Sequence, residues 1–240
     1  MPQKRHYFFI GILLFVFCCN KYPKVSFSEI NIPFKNNSIV EVNIPKSEGN
    51  KTISNNINDE ISKTVAAALT IGDPNTEPSK SIKESIDNFN SAYEKFKVSF
   101  PESDMPWEAQ IDGEVIYKSP EIISLAITSY INTGGAHGIS IVSFLNFKAA
   151  TGEKISNEQL ITDLEGFKKV VKPYFDKTIT NENIPIFDTN NFHLPINIGY
   201  TEDGLVLLYN TYEIAPYSSG IIEFRIPLED VQPFLAFNSL

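Results

Sequence analysis

Hydrophobic and polar positions change their spacing several times along the chain, and each change marks an element. Val40, Val42 and Ile44 alternate with Glu41 and Asn43, the two-residue period of a strand with one buried face, and Pro45 is expected to close it. Ile53, Ile57, Ile61, Val65 and Leu69 then recur every fourth residue until Gly72-Asp73-Pro74, which predicts an amphipathic helix with a firm stop. Ile82, Ile86, Phe89, Tyr93 and Phe96 follow at intervals of four, three, four and three, predicting a second helix that ends before Pro101. Each helix carries one apolar stripe, so both are expected to pack on a sheet, with the aromatic positions in the core.

From Trp107 the period becomes two. Trp107, Ala109, Ile111, Val115 and Tyr117 are expected on one face of a strand, opposite Glu108, Gln110, Asp112 and Glu114. Ile123, Leu125, Ile127 and Ile131 form a second such face, opposite Ser124, Thr128 and Tyr130. Residues 139–148 (ISIVSFLNFK) are apolar on both sides, which predicts a central strand. Ser156 is placed to cap a short helix, and a longer helical stretch carries Phe167, Val170, Val171, Tyr174 and Phe175, with Pro173 expected to kink or split it. Asp203-Gly204 marks a hairpin between 196–200 and 205–209, and Ile222, Phe224 and Ile226 alternate in a last strand before a short closing helix. The fold class read from this order is α+β: an N-terminal β-α-α unit joined to an antiparallel β-sheet with helices on one face. No internal repeat and no low-complexity tract interrupts it.

The N-terminus reads as an address. Lys4 and Arg5 precede the ten-residue apolar run 8–17, too short for a hydrocarbon core that needs about 20 helical residues. Phe17-Cys18-Cys19-Asn20 follows in place of a small-x-small cleavage site and resembles a lipobox, in which a cysteine thiol receives diacylglycerol and becomes the mature N-terminus. Cys19 is the preferred lipidation site, with Cys18 the alternative; an ordinary cleaved signal with incidental cysteines is the other reading. Two acyl chains would hold the protein on a membrane. The expected organisation is a signal peptide over 1–18, a tether over 19–38, an N-terminal α+β unit over 39–104 and a C-terminal sheet domain over 105–240. The tether is polar and Asn-rich with Pro23 and Pro33, and leaves room for an edge strand at its end.

Charge narrows the partners. The chain carries 20 Lys+Arg against 29 Asp+Glu, and losing Lys4 and Arg5 takes the net charge from −9 to −11. A nucleic-acid binder would need a basic footprint, so nucleic acid is not an expected partner. A cationic partner would be steered toward such a surface. Past the two N-terminal cysteines there is no thiol, so the core is expected to hold without disulfides.

Candidate chemistry is sparse. The only histidines beyond the leader are His137 and His193, with no HExxH, CxxC, GxSxG, GxxxxGK[ST] or GxGxxG, so neither a metal nor a cofactor is expected. The stretch YINTGGAHG (130–138) sets Gly134, Gly135 and Gly138 around His137, between the second and third strands of the meander. Glycines allow φ > 0 and close backbone approach, so the three are assigned to shaping a turn. His137 has the right chemistry for a general base, but no orienting acid can be named from the sequence. A second dense stretch, YNTYEIAPYSSG (209–220), offers Tyr212, Pro216 and Tyr217 in an irregular segment. Tyrosine brings rigid contact area with a polar tip, which suits a recognition surface. It equally suits plugging the end of a sheet.

SYINTGGAHG, NFKAATGEKIS, the DG hairpin and YNTYEIAPYSSGIIEFRIPL together resemble the extracytoplasmic domain of RsiV-type anti-sigma factors, a domain pair that also precedes the catalytic domain of PdaC-type peptidoglycan deacetylases. The resemblance covers roughly 38–235 and implies binding rather than turnover: the RsiV domain is a lysozyme receptor, and the deacetylase's catalytic residues lie in a separate domain. By motif, Gly134, Gly135, His137 and Gly138 match the turn, and Tyr212, Pro216 and Tyr217 match the loop, with Pro216 and Tyr217 the first candidates for contact. A cytoplasmic sigma-binding segment and a membrane-spanning helix are missing, and a lipobox stands instead. The expectation is therefore a lipid-anchored envelope protein, on the cell surface or in the periplasm, that binds a lysozyme-like protein or peptidoglycan. A small hydrolase or deacetylase using His137, and a structural lipoprotein, are the competing readings.

Overall fold

A computed structural model describes residues 25–33, 39–72, 79 and 81–238. Its elements are β1 (Val25–Ile32), β2 (Val40–Gly49), α1 (Lys51–Leu69), α2 (Ile82–Ser99), β3 (Trp107–Lys118), β4 (Ile122–Thr133), β5 (Ile139–Lys148), β6 (Lys154–Ile155), α3 (Asn157–Leu160), α4 (Leu164–Asn181), β7 (Asn197–Thr201), β8 (Gly204–Tyr209), β9 (Ile222–Ile226) and α5 (Leu228–Val231). The class is α+β. Strands β1 to β6 form one sheet in chain order, and β7, β8 and β9 form a second.

The first sheet is antiparallel except where β2 pairs in parallel with β3, over Val40–Asn43 against Ala109–Asp112. That parallel pair is possible because α1 and α2 make the crossover between the two strands. It also carries the sheet across the 104/105 boundary, so Val42, Ile44, Ala109 and Ile111 share one core with Ile57 and Ile61 of α1. All five helix positions predicted to face inward on α1, Ile53, Ile57, Ile61, Val65 and Leu69, are buried. Asn50 caps the helix through its side chain, which accepts from Ile53 N at 3.2 Å. Cys18 and Cys19 lie outside the described residues, and no described helix is long and apolar enough to cross a membrane.

The edge strand for which the tether leaves room is β1, which pairs with β2 from Val25↔Gly49 to Ile32↔Val42. Four expectations change. Pro45 does not close β2, because past Asn43 one edge of β2 has no strand beside it and a residue without N–H is tolerated there. A bulge between Val115 and Tyr117 moves Tyr117 to the opposite face of the sheet from Trp107, Ala109 and Ile111. Tyr117 there stacks on Tyr200 with ring centroids 5.9 Å apart. Pro173 neither splits nor ends α4: it is solvent-facing, so water can take the place of its missing hydrogen bond, while Phe167, Val171 and Phe175 hold the inner face.

The six-stranded sheet carries α1 and α2 on one face, and β7 crosses β3, β4 and β5 on the face away from α1. The layers run α1 and α2, six-stranded sheet, three-stranded sheet, α4. The second core lies between the three-stranded sheet and α4, around Phe167, Val171, Phe175, Tyr209 and Phe224. The seam between the sheets is polar at its centre. Ser124 Oγ donates to Asn146 Oδ1, Asn146 Nδ2 donates to Ile198 O at 2.7 Å, and Tyr200 N donates to Ser124 Oγ at 3.3 Å.

The fourth expectation concerns β5, which is not central. β6 covers it only at Asn146 and Phe147. Beyond that its open edge is closed by side chains from the second sheet. Asn210 accepts from Val142 N at 2.8 Å and donates to Val142 O at 2.9 Å, and Asn197 accepts from Phe144 N at 3.0 Å. One asparagine side chain thus pairs with Val142 as a neighbouring strand would.

Candidate functional site

The β4–β5 turn and the β8–β9 connection, separated by more than seventy residues, meet at one end of the molecule. The GGAHG turn is built from two different glycine requirements. Gly134 has φ +81°, a conformation that disfavours any side chain, and a Cβ there would press on Met105 at 3.0 Å. Gly138 has ordinary φ but lies under the Tyr130 ring, where a Cβ would overlap the ring. Gly135 meets neither condition: its only close neighbour would be His137 O at 3.7 Å, and φ > 0 does not arise there. Asn132 Oδ1 accepts from Gly134 N at 3.0 Å and fixes the entry to the turn.

The turn delivers His137 to the Tyr217 ring. The two are stacked, with centroids 3.6 Å apart and planes inclined by 19°. Tyr217 OH donates to Gly138 O at 3.0 Å, and His137 Nδ1 lies 3.2 Å from the same carbonyl. Tyr212 extends the row, its ring centroid 5.7 Å from that of Tyr217. All three rings are exposed, with Tyr212 at 49%. Tyr212 sits at φ +72°, an uncommon backbone for a non-glycine residue and one that costs on the order of 1 kcal/mol. The loop beneath it is over-determined: Glu213 accepts from Asn210 N at 2.8 Å and from Ile196 N at 3.3 Å, while Ile214 and Ala215 are buried. Pro216 is half-buried and leads into a 3-10 turn over Tyr217–Ser219.

The structure therefore brings His137, Tyr212, Pro216 and Tyr217 into one surface, with Gly134 and Gly138 supporting it. The two roles weighed for the tyrosines coexist in Tyr217, whose hydroxyl ties the two loops together while its ring faces outward. His137 forms no ion pair with any carboxylate among the described residues, and the Gly138 carbonyl lies 3.2 Å from its Nδ1. Among the described residues no cluster of three metal-ligating side chains occurs. Chemically the surface is a short aromatic stack with one imidazole member, its neighbouring rings inclined by 19° and 40°. Sequence reading missed Asn210 and Glu213, which brace the loop; their neighbours' turn-like composition gave no sign of which amide or carboxylate would do so.

Residues 32–140 match the family model described as deacetylase PdaC, and residues 147–229 match that of a protein of unknown function, DUF3298. His137 thus comes from the first region, and Tyr212, Pro216 and Tyr217 from the second. The chain is similar in fold to a DUF3298-family protein from Bacteroides fragilis, at 18% identity, TM-score 0.66 and coverage of 91% of this chain and 96% of that one. It is similar also to a DUF3298-family protein from Pseudomonas aeruginosa PAO1, at 20% identity, TM-score 0.58 and coverage of 89% and 94%. Comparison with curated proteins finds no match. The chain carries the PdaC–DUF3298 domain pair.

Proposed function

We propose that this chain is an extracytoplasmic cell-envelope protein, lipid-anchored through Cys19, that binds a ligand on the platform of His137, Tyr212, Pro216 and Tyr217. The observation that carries the reading is the joint origin of the platform: each matched region supplies part of one exposed stack, held in place by a hydrogen bond between them. Exposed, pre-ordered tyrosines bind without first losing conformational freedom, which is how binding hot spots reach high affinity. The PdaC match supports placement in the envelope. The formal charge of −11 on residues 19–240 favours a basic ligand, so a lysozyme-like muramidase is the first candidate; holding it would also inhibit it.

Peptidoglycan is the second candidate, supported by the exposed rings of the stack, since an outer ring face can take the apolar face of a sugar as readily as a protein side chain. Calorimetry of residues 20–240 with a c-type lysozyme, at low and high salt, separates the two. Binding that weakens with salt and falls about 30-fold or more in Tyr217→Ala supports the muramidase reading. No binding to lysozyme, with retention on purified sacculi that Tyr217→Ala abolishes, supports peptidoglycan. Absence of both removes the platform as a binding site.

A further inference from the structure

A second site lies beside the part of β5 that β6 does not pair with, away from the platform's rings. α1 ends its cover of the first sheet near Ala67 and Ala68, and α3, the start of α4 and residues 194–197 stand opposite. Between them runs a cleft of about 1160 Å³. Its floor and walls are aliphatic: Ile141, Leu164 and Ile196 are exposed there, Ile196 at 78%, beside Ala67 and Ala68. Of the aromatic side chains only Phe144 contributes, which sets the cleft apart from the platform. The apolar character that makes residues 139–148 read as a central strand is thus spent on lining this cleft.

The rim carries both signs: Lys63, Lys154 and Lys168 line the cleft with Glu60 and Glu158, and Lys168 is paired with Glu165 at 3.2 Å. Glu60 is shared, lying 2.6 Å from Lys63 Nζ and 3.5 Å from Lys154 Nζ, so two ammonium groups face one carboxylate. Burial pushes the Glu60 carboxyl up, yet the two lysines outweigh it and hold it below the ordinary carboxylate range. Glu60 therefore stays charged and occupies the position that a ligand's anionic group would take.

We infer that this cleft binds an anionic single-chain amphiphile, with its alkyl chain along Ala67, Ile141 and Ile196 and its acidic head at Lys63 and Lys154. The volume lies just above the range of ordinary ligand pockets, and the lining joins an extended apolar floor to a few convergent polar groups. A glycan would find one aromatic ring here, Phe144, and a nucleotide no phosphate loop. The site is independent of the platform and of what the platform binds.

The test is calorimetric titration of the purified chain with palmitate below its micelle concentration, and with neutral monopalmitoylglycerol for comparison. Palmitate is expected to bind. Ala67→Trp, at an exposed helix position where the fold tolerates bulk, is expected to abolish binding with an unchanged circular dichroism spectrum. Glu60→Gln is expected to tighten palmitate about threefold, the size of a partly exposed ion pair, and leave monopalmitoylglycerol unaffected. No palmitate binding, or binding untouched by Ala67→Trp, overturns the site. Equal gains for both lipids in Glu60→Gln overturn the anionic head.

Discussion

The two cores solve the same packing problem with different chemistry. The first, under α1 and α2, is mainly aliphatic, with Val40, Val42, Ile57, Ile61, Val65, Ile123 and Leu125 sealed from solvent beside Phe147, and Phe89, Phe96 and Trp107 closing one end. The second is built around tyrosines whose hydroxyls must be answered: Tyr200 OH donates to Phe237 O at 2.9 Å, and Tyr209 OH to His193 O at 2.6 Å. An aliphatic core depends on volume alone. A tyrosine core adds a directional requirement, and it draws the irregular segments 182–196 and 235–238 onto the sheet.

That contrast can be broken at several points. The largest effects come from emptying either core: Phe89→Ala and Phe167→Ala should each cost about 3–5 kcal/mol in urea unfolding, since both side chains are fully buried. Asn146→Ala strikes the seam between the sheets, stripping Ser124 Oγ and Ile198 O of their partner, and should cost about 2–3 kcal/mol. Unfolding of that variant in two steps would identify the seam as what makes the cores unfold together.

Alkaline pH sharpens the difference. Burial raises Tyr200, helped by nearby Tyr117 and Glu121, and burial with the neighbouring Glu213 raises Tyr209. An unfolded tyrosine loses its proton near pH 10, whereas these keep theirs in the folded chain, so the unfolded state binds fewer protons above that pH. Stability from these two groups is intact below pH 10 and falls above it, by about 1.4 kcal/mol per pH unit for each tyrosine. Thermal unfolding between pH 8 and 11 reads this directly. Tyr209→Phe should cost about 1 kcal/mol at neutral pH and remove its own share of the alkaline slope, while Phe89→Leu in the first core should leave the slope unchanged.

The smallest effects belong to the platform. Gly134→Ala forces a side chain into φ +81° and should cost about 1 kcal/mol, whereas His137→Ala, at an exposed position, should stay within about 0.5 kcal/mol. A large loss of stability in His137→Ala would recast the stack as a folding element.

Legibility followed the same divide. α1 and α2 and the inward faces of β3 and β4 follow from period alone, because aliphatic burial repeats with the geometry of the element. Tyr117 escaped it, since a single bulge reverses the face and no residue between Val115 and Tyr117 announces one. The pairing of β1 and the separateness of the second sheet also escaped, because both rest on long-range partners. At the site, His137, Tyr212 and Tyr217 stood out by composition, but their contact depends on the fold of both regions. Asn197 and Asn210 looked like ordinary loop-flanking amides until the edge they face was known.

Those two asparagines carry a consequence for how the chain comes to be folded. Until residues 197–210 arrive, the N–H groups of Val142 and Phe144 remain open on a strand that already has its aliphatic partners. During synthesis or export that half-finished sheet can recruit a strand from a second molecule, and the hazard ends only when the last third of the chain docks. The amides act as chain-end stoppers, and Asn210→Ala should be recognised less by a shifted midpoint than by refolding yields that fall as concentration rises.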